Sequence, residues 1–79
     1  MDNVEQKIRS ILVNDFGRDE SEVKMESTLA GDLDMDSIEL VDFAMHIEEA
    51  LNIEIPDSEV TADMTVEQVC EKVKHLGGL

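Results

Sequence analysis

Apolar residues recur at the spacing of an α-helix in three separate stretches of this 79-residue sequence, and this pattern restricts the fold more than any other feature. Gly17 is a stop signal after the first stretch, and Asp2 or Asn3 is suited to cap its start. A first helix is therefore expected to end at residue 16, with one apolar face made of Val4, Ile8, Ile11, Leu12 and Phe16.

The other two stretches begin with the spacing of a capping box, in which an N-cap side chain and a residue three positions later bond each other's backbone N–H groups. Asp36 and Glu39 have this spacing, and so do Thr65 and Gln68. A second helix is predicted over 37–51, with the apolar residues Leu40, Val41, Ala44, Met45, Ile47 and Leu51. The last helix is predicted to end before Gly77-Gly78, with the face Val66, Val69, Cys70, Val73 and Leu76.

The long polar connection over 18–35 is expected to be pinned to the core, because long structureless loops are rare in small domains. Its apolar anchors would be Val23, Leu29 and Leu33, and it is expected to hold a short helical turn.

The second connection starts as an extended turn over 52–56, with Ile53 and Ile55 facing inward. Asp57 is suited to cap a short third helix that contains Val60. Because no strand pattern is present, the sequence predicts an all-α fold. We expect a small antiparallel helical bundle of three main helices plus one short helix, in a single domain over 1–79.

Acidic residues dominate the charge of the chain and are concentrated in one segment. The formal net charge is −14, and residues 25–71 contain 14 acidic residues but neither lysine nor arginine. Such a field repels nucleic acid and anionic lipid and attracts basic protein surfaces. We therefore expect protein partners with basic patches and no nucleic-acid partner. The alternative is that these acids only solvate the outer faces.

The cysteine content and the first residues of the sequence indicate in which cellular compartment the protein is expected. With Cys70 alone, the chain has neither an intrachain disulfide nor a zinc site with several thiolates, and this cysteine is expected to be a small buried apolar residue. The first residues lack the pattern of a signal peptide, and no stretch approaches the ~20 apolar residues that span a bilayer. We expect a monomeric cytoplasmic protein with no metal and no membrane insertion.

Ser37 lies at the first turn of the predicted second helix, just after its cap, where the side chain points outward. The free N–H groups of a helix start carry partial positive charge, so a phosphodiester on this hydroxyl would be stabilised by about 0.3–1 kcal/mol. The surrounding acids argue against a free phosphate ligand but not against a covalently attached one. Ser37 is therefore the candidate for modification.

The residues around Ser37 also carry a family resemblance. The chain reads Asp36-Ser37-Ile38-Glu39-Leu40, preceded by Leu29 and Asp32-Leu33 and followed by Ile47-Glu48-Glu49-Ala50-Leu51-Asn52-Ile53-Glu54-Ile55-Pro56-Asp57. Over nearly its whole length the sequence resembles acyl carrier proteins. The resemblance implies a non-catalytic carrier in which a phosphopantetheinyl transferase moves 4′-phosphopantetheine from coenzyme A onto Ser37, beside Asp36 and Ile38. The thiol of this cofactor would carry acyl thioesters in fatty acid, lipid or polyketide biosynthesis.

The resemblance further implies two sets of residues that meet the cargo or the partners. The acids expected to dock acyl-transferring and acyl-modifying enzymes with basic patches are Glu39, Asp42, Glu48 and Glu49. The residues expected to admit an acyl chain between the helices are Val41, Ala44, Met45, Ile55, Met64 and Val69. For each acid the alternative is a solvated residue, and for each apolar residue it is an ordinary core position.

Two positions depart from the usual family pattern Gly-x-Asp-Ser-Leu. Asp34 stands in the place of the glycine, and Ile38 stands in the place of the leucine. If the glycine position needs a positive φ, aspartate tolerates it at some cost. Ile38 keeps an apolar anchor with a stiffer, β-branched shape. These changes leave open whether the carrier serves general fatty acid synthesis or a dedicated pathway.

A calcium site is one alternative interpretation of the same segment. Asp32, Asp34 and Asp36 match the first three ligand positions of an EF-hand loop. However, Ser37 stands where the loop needs glycine, and Phe43 stands where the bidentate glutamate should be. The pattern therefore does not predict a specific calcium site.

Three further alternatives concern the chemistry of Ser37. A hydrolase is disfavoured, because Ser37 lacks a G-x-S-x-G setting and the histidines, His46 and His75, lie far along the chain. An aminoacyl or peptidyl carrier would share the bundle and the modified serine. An acidic protein-interaction module without any modification is the last alternative.

Overall fold

The computed structural model describes residues 3–56 and 59–78. These residues form three α-helices, which are α1 (Asn3–Ser10), α2 (Ser37–Leu51) and α3 (Val66–Gly77). A π-helical turn, Ile11–Asp15, continues α1, and a 3₁₀ turn, Glu20–Glu22, lies in the connection to α2. Within the described ranges the chain has one isolated β-bridge and no strand. The predicted all-α helical bundle is therefore confirmed.

The first helical segment ends where the sequence predicted. The N–H of Phe16 bonds the carbonyl of Ile11, and Gly17 follows with a φ of 67°. This left-handed conformation costs glycine little because it has no Cβ. Asp2, one of the two predicted caps, lies outside the described residues.

Both predicted capping boxes are present. At α2 the Asp36 carboxylate accepts a hydrogen bond of 2.8 Å from the Glu39 N–H, and Thr65 and Gln68 exchange the equivalent bonds at α3. The bounds of α2 match the prediction, and α2 ends at Asn52, which has a φ of 56°. Helix α3 runs through Gly77, one residue further than predicted, because its left-handed C-cap is at residue 78.

The core draws on all three helices and on the long connection. The predicted anchors Val23, Leu29 and Leu33 are buried, and Ser27 between them is held by a bond from its hydroxyl to the Glu22 carbonyl. At the centre, Phe43 is 0% exposed and meets Phe16 edge to face. Four of the five residues of the face predicted for α3 are buried, namely Val66, Val69, Cys70 and Val73, and the fifth, Leu76, is partly buried against the core.

The two connections are joined by backbone hydrogen bonds. Leu29 donates to the Met64 carbonyl at 3.0 Å, and Val66 donates to the Ser27 carbonyl at 2.9 Å. These bonds give hydrogen-bond partners to backbone groups of the connections, which have no partner within a helix. They tie the segment that leads into α2 to the segment that leads into α3.

The prediction of a short helix around Val60 is wrong at residues 59 and 60, which are the part of it that the structure describes. Asp57, its predicted cap, lies outside them, while Glu59 and Val60 form a bend in which Val60 is buried. The short helical element is the 3₁₀ turn in the long connection, where a helical turn was expected. Asp19 caps this turn, and hydrogen bonds from the Ser21 hydroxyl and N–H hold the pKa of the Asp19 carboxyl below its usual value.

The apolar face predicted for α2 is wrong at two positions. Val41 is 51% exposed and Met45 is 52% exposed. The arc of α2 that faces the core is already occupied by Leu40, Phe43, Ala44 and Ile47. Because successive residues on a helix are about 100° apart, Val41 and Met45 fall outside this arc.

No helix within 3–56 and 59–78 has the length and apolar character needed to span a bilayer.

Candidate functional site

Ser37 is the first residue of α2 and is exposed to solvent. The first four N–H groups of a helix have no intrahelical partner. The reciprocal bonds of Asp36 and Glu39 satisfy two of them, at 2.8 and 3.4 Å. The N–H groups of Ser37 and Ile38 precede the first intrahelical bond, which Leu40 donates to Asp36. The hydroxyl of Ser37 therefore stands beside N–H groups that the cap does not use.

This environment fits a 4′-phosphopantetheine group. A helix N-terminus stabilises a phosphodiester through its N–H groups and dipole. The exposed serine leaves room for a long substituent, and the neighbouring Ile38 is 73% exposed. Ser37 and the N–H groups of α2 would hold the phosphate, and the thiol at the far end of the arm supplies the thioester chemistry.

The turn before α2 has a left-handed residue at Asp34, with a φ of 53°. The condition stated for this position, a positive φ in the place of the family's glycine, is met by Asp34. The carbonyls on this turn are bound by a side chain from outside the acidic segment. Arg18 donates from Nε to the Leu33 carbonyl at 2.6 Å and from Nη2 to the Asp34 carbonyl at 3.2 Å.

Replacing Asp34 with glycine is expected to raise the free energy of unfolding by about 0.5 kcal/mol. A left-handed conformation costs an L-residue about 1–2 kcal/mol, and glycine avoids this cost but loses more backbone entropy on folding. Asp34→Ala is the matched control and should lower stability by about 1 kcal/mol, because alanine lacks the short polar side chain that lets aspartate tolerate a left-handed conformation. Urea denaturation followed by circular dichroism measures both. Equal shifts in the same direction for the two variants would contradict this account of the turn.

An exposed apolar surface on α2 was missed by the sequence analysis. It consists of Ile38, Val41 and Met45, here called the outer stripe, which are 73%, 51% and 52% exposed. Residues three and four apart lie on the same side of a helix, so the three side chains follow one line that begins beside Ser37. One feature of the sequence does indicate this exposed surface. The apolar residues of 38–47 cover too wide an arc for a single buried face.

The structure divides the four predicted docking acids into two pairs. Asp42 and Glu49 are exposed, and each lies four residues after a member of the outer stripe, so both border it. Glu39 and Glu48 are half-buried and already bonded. Glu39 accepts from Arg18 at 2.8 Å, and Glu48 accepts from the Ile55 N–H at 2.8 Å.

The six residues predicted to line an acyl pocket are not brought together. Three of them, Ala44, Ile55 and Val69, are buried in the core. Met64 packs against that core and lines a surface groove beside α3, and its sulfur accepts from the Thr61 N–H at 3.3 Å. The other two, Val41 and Met45, lie on the outer stripe, so they line no space between the helices in this conformation.

The geometry disfavours catalysis by Ser37 and calcium binding. His46 lies nine residues after Ser37 on α2, a separation of about 13 Å along the helix axis, and its Nδ1 pairs with Asp15 at 2.9 Å. Phe43, at the last ligand position of the calcium pattern, is fully buried. In the part of the chain that the structure describes, no cluster of three or more side chains is placed to hold a metal ion.

A family model described as the phosphopantetheine attachment site matches residues 6–73. The match spans most of α1, the long connection, Ser37 with α2, and most of α3. Proteins of this family carry 4′-phosphopantetheine covalently on a serine, are not catalytic themselves, and interact with phosphopantetheinyl transferases and acyl-handling enzymes. The chain therefore belongs to the phosphopantetheine attachment site family and is a phosphopantetheine carrier protein rather than an enzyme.

Proposed function

We propose that this protein is an acyl carrier whose 4′-phosphopantetheine arm is attached to Ser37. The observation that carries the proposal is the exposed hydroxyl of Ser37 at the start of α2, beside N–H groups that the capping box does not use. A phosphodiester formed at this point meets the positive end of the helix dipole. The acyl groups would be intermediates of fatty acid, lipid or polyketide biosynthesis.

The base that activates the Ser37 hydroxyl would come from the transferase and not from the carrier. The residues that flank it, Asp36 and Ile38, offer a capping carboxylate and an apolar side chain, and the nearest histidine along α2 is paired with Asp15. A serine hydroxyl needs an adjacent base to become a good nucleophile. The transferase would therefore take the hydroxyl proton as the bond from the serine oxygen to phosphorus forms. The diphosphate linkage of coenzyme A would break in the same step, and its nucleotide half, adenosine 3′,5′-bisphosphate, would leave.

We propose the outer stripe and its bordering acids as the surface that partner enzymes dock on. Ile38, Val41 and Met45 supply apolar contact, while Asp42 and Glu49 attract a basic rim. Exposed charge pairs contribute only about 0–1 kcal/mol each, so such encounters are fast and reversible. A carrier that visits several enzymes requires this reversibility.

The test is incubation of the purified protein with coenzyme A, magnesium and a broad-specificity phosphopantetheinyl transferase, followed by intact mass measurement. We expect the mass of the whole population to rise by one phosphopantetheinyl group. The modified protein is then offered fatty acyl and aminoacyl substrates with the corresponding loading enzymes. Loading by acyl substrates alone supports the acyl carrier. Loading by amino acids alone assigns the aminoacyl alternative, and absence of any adduct overturns the proposal.

Reversing the charge of Asp42 is expected to lower kcat/KM for modification by about fivefold at low salt, because a bordering acid of the docking surface becomes repulsive. The dependence of the rate on salt concentration should become weaker as well. Asp42→Lys is compared with Glu71→Lys, which makes the same charge change at an exposed position of α3. Initial rates over a series of salt concentrations measure the effect. Equal losses in both variants would show that only net charge matters.

A further inference from the structure

Arg18 makes an unusually complete set of bonds around the turn that leads into α2. Its Nη1 donates to the Phe16 carbonyl at 2.7 Å, and its Nε donates to the Leu33 carbonyl at 2.6 Å. Its Nη2 donates to the Asp34 carbonyl at 3.2 Å and to the Glu39 carboxylate at 2.8 Å. These bonds occupy four of the five N–H donors of a guanidinium. The side chain is only 20% exposed, so this arrangement is partly shielded from water.

These bonds join three segments that meet beside Ser37. One is the end of the first helical segment at Phe16, the second is the turn with the left-handed Asp34, and the third is the first turn of α2 at Glu39. The oxygen of Glu39 that accepts from Arg18 is the same Oε1 that accepts from the Asp36 N–H. Arg18 therefore supports the left-handed turn and the capping box together.

The acidic segment, residues 25–71, contains no basic side chain that could bind this turn and Glu39. Residues 25–71 contain neither lysine nor arginine, so the turn and Glu39 must obtain a cation from elsewhere in the chain. Arg18 supplies it across 15 to 21 residues of sequence. A planar guanidinium is suited to this task, because its donors point in fixed directions and charge-assisted bonds are the stronger kind.

We propose that Arg18 is a positioning residue for the modification of Ser37, acting through the 33–36 turn and Glu39. Arg18 holds the entrance to α2 in the one arrangement that the transferase binds. The inference rests on the proposed attachment at Ser37. Without Arg18 the left-handed turn and the first helical turn would populate other arrangements, and the apparent affinity of an enzyme falls in proportion to the competent fraction.

The test measures modification kinetics of Arg18→Ala with the same transferase. We expect the KM for the carrier to rise about tenfold, with kcat changed by less than about twofold, because at a saturating concentration of the carrier the transferase is still filled with the competent arrangement. Arg18→Lys should recover part of the loss, since an ammonium has three N–H donors and cannot bond all four acceptors. An unchanged KM in Arg18→Ala, or a loss confined to kcat, would overturn the proposal.

Arg9→Ala is the matched control. Arg9 also donates to a backbone carbonyl of the long connection, that of Val23 at 2.6 Å, but this bond lies away from the entrance to α2. The two variants lose the same charge, but Arg9→Ala loses one hydrogen bond and Arg18→Ala loses four. We expect Arg9→Ala to keep the KM of the unaltered protein even if its Tm falls. Equal increases of KM in the two variants would assign the effect to general destabilisation.

Amide hydrogen exchange separates a failure of this inference from a failure of the proposed function. The Met35 N–H bonds the Leu29 carbonyl and the Leu40 N–H bonds the Asp36 carbonyl, so both report on the entrance to α2. In Arg18→Ala these amides should exchange about tenfold faster than in the unaltered protein, and in Arg9→Ala they should not. If the unaltered protein takes up no adduct, the proposed function fails. Unchanged exchange at both amides in Arg18→Ala would instead overturn the positioning role.

Discussion

Ser37→Ala is expected to abolish the mass gain in the transferase assay while leaving the fold intact. The variant lacks the oxygen to which phosphorus would be bonded, so the loss should be complete rather than partial. The fold should persist because Asp36, not Ser37, caps α2, and alanine is the best helix former at an exposed first-turn position. Intact mass measurement after prolonged incubation gives the extent of modification, and circular dichroism gives the helix content.

Ser21→Ala is the control for Ser37→Ala. Ser21 is also exposed and lies close to a capping aspartate, Asp19, at the start of the 3₁₀ turn. Its replacement should leave modification complete, because that short turn lacks the docking surface that follows Ser37. An adduct on Ser37→Ala, or its disappearance from Ser21→Ala, would move the attachment site away from Ser37.

The second large effect is expected in the core, where Phe43→Ala should lower the free energy of unfolding by about 3–5 kcal/mol. Phe43 is fully buried and packs edge to face on Phe16 at a centroid distance of 5.9 Å. Truncation removes buried apolar surface and leaves a cavity. A chain of this length is expected to have a total stability of about 4–12 kcal/mol, so the loss removes at least about a quarter of it.

Met45→Ala is the control for Phe43→Ala, two residues further along the same helix. Because Met45 is 52% exposed on the outer stripe, its replacement should change stability by less than about 0.5 kcal/mol. Urea denaturation of both variants and of the unaltered protein measures the difference. Comparable losses at the two positions would mean that Met45 is packed in solution and that the outer stripe is not an exposed surface.

Local motifs explain why much of the fold was predictable. The ends of α2 and the start of α3 follow from capping residues that bond partners within three or four positions, and such bonds depend little on the remainder of the protein. The short helix around Val60 was not a correct prediction, since a single capping residue and one apolar anchor do not outweigh the backbone bonds that connect this region to the long loop.

The candidate site was predictable to a similar degree. The position of Ser37 at the start of α2 follows from the capping box beside it. The left-handed φ of Asp34 could be stated only as a condition, from the glycine that the resembling family has at this place. Which of the predicted docking acids already accept hydrogen bonds within the protein does not follow from their sequence neighbours. Glu39 and Glu48 look like Asp42 and Glu49 in the sequence, but the first two accept hydrogen bonds from Arg18 and Ile55, which lie elsewhere in the chain.

By itself the sequence determined the bounds of α2, the start of α3, the two capping boxes and the place of Ser37, because each depends on interactions between residues a few positions apart. Only the tertiary structure decided that Phe43 is buried while Val41 and Met45 are exposed, and that Arg18 reaches the turn before Ser37. The physical reason is that burial depends on which arc of α2 the other elements cover, and the partners of Arg18 depend on how distant segments meet. Neither is encoded in the spacing of nearby residues.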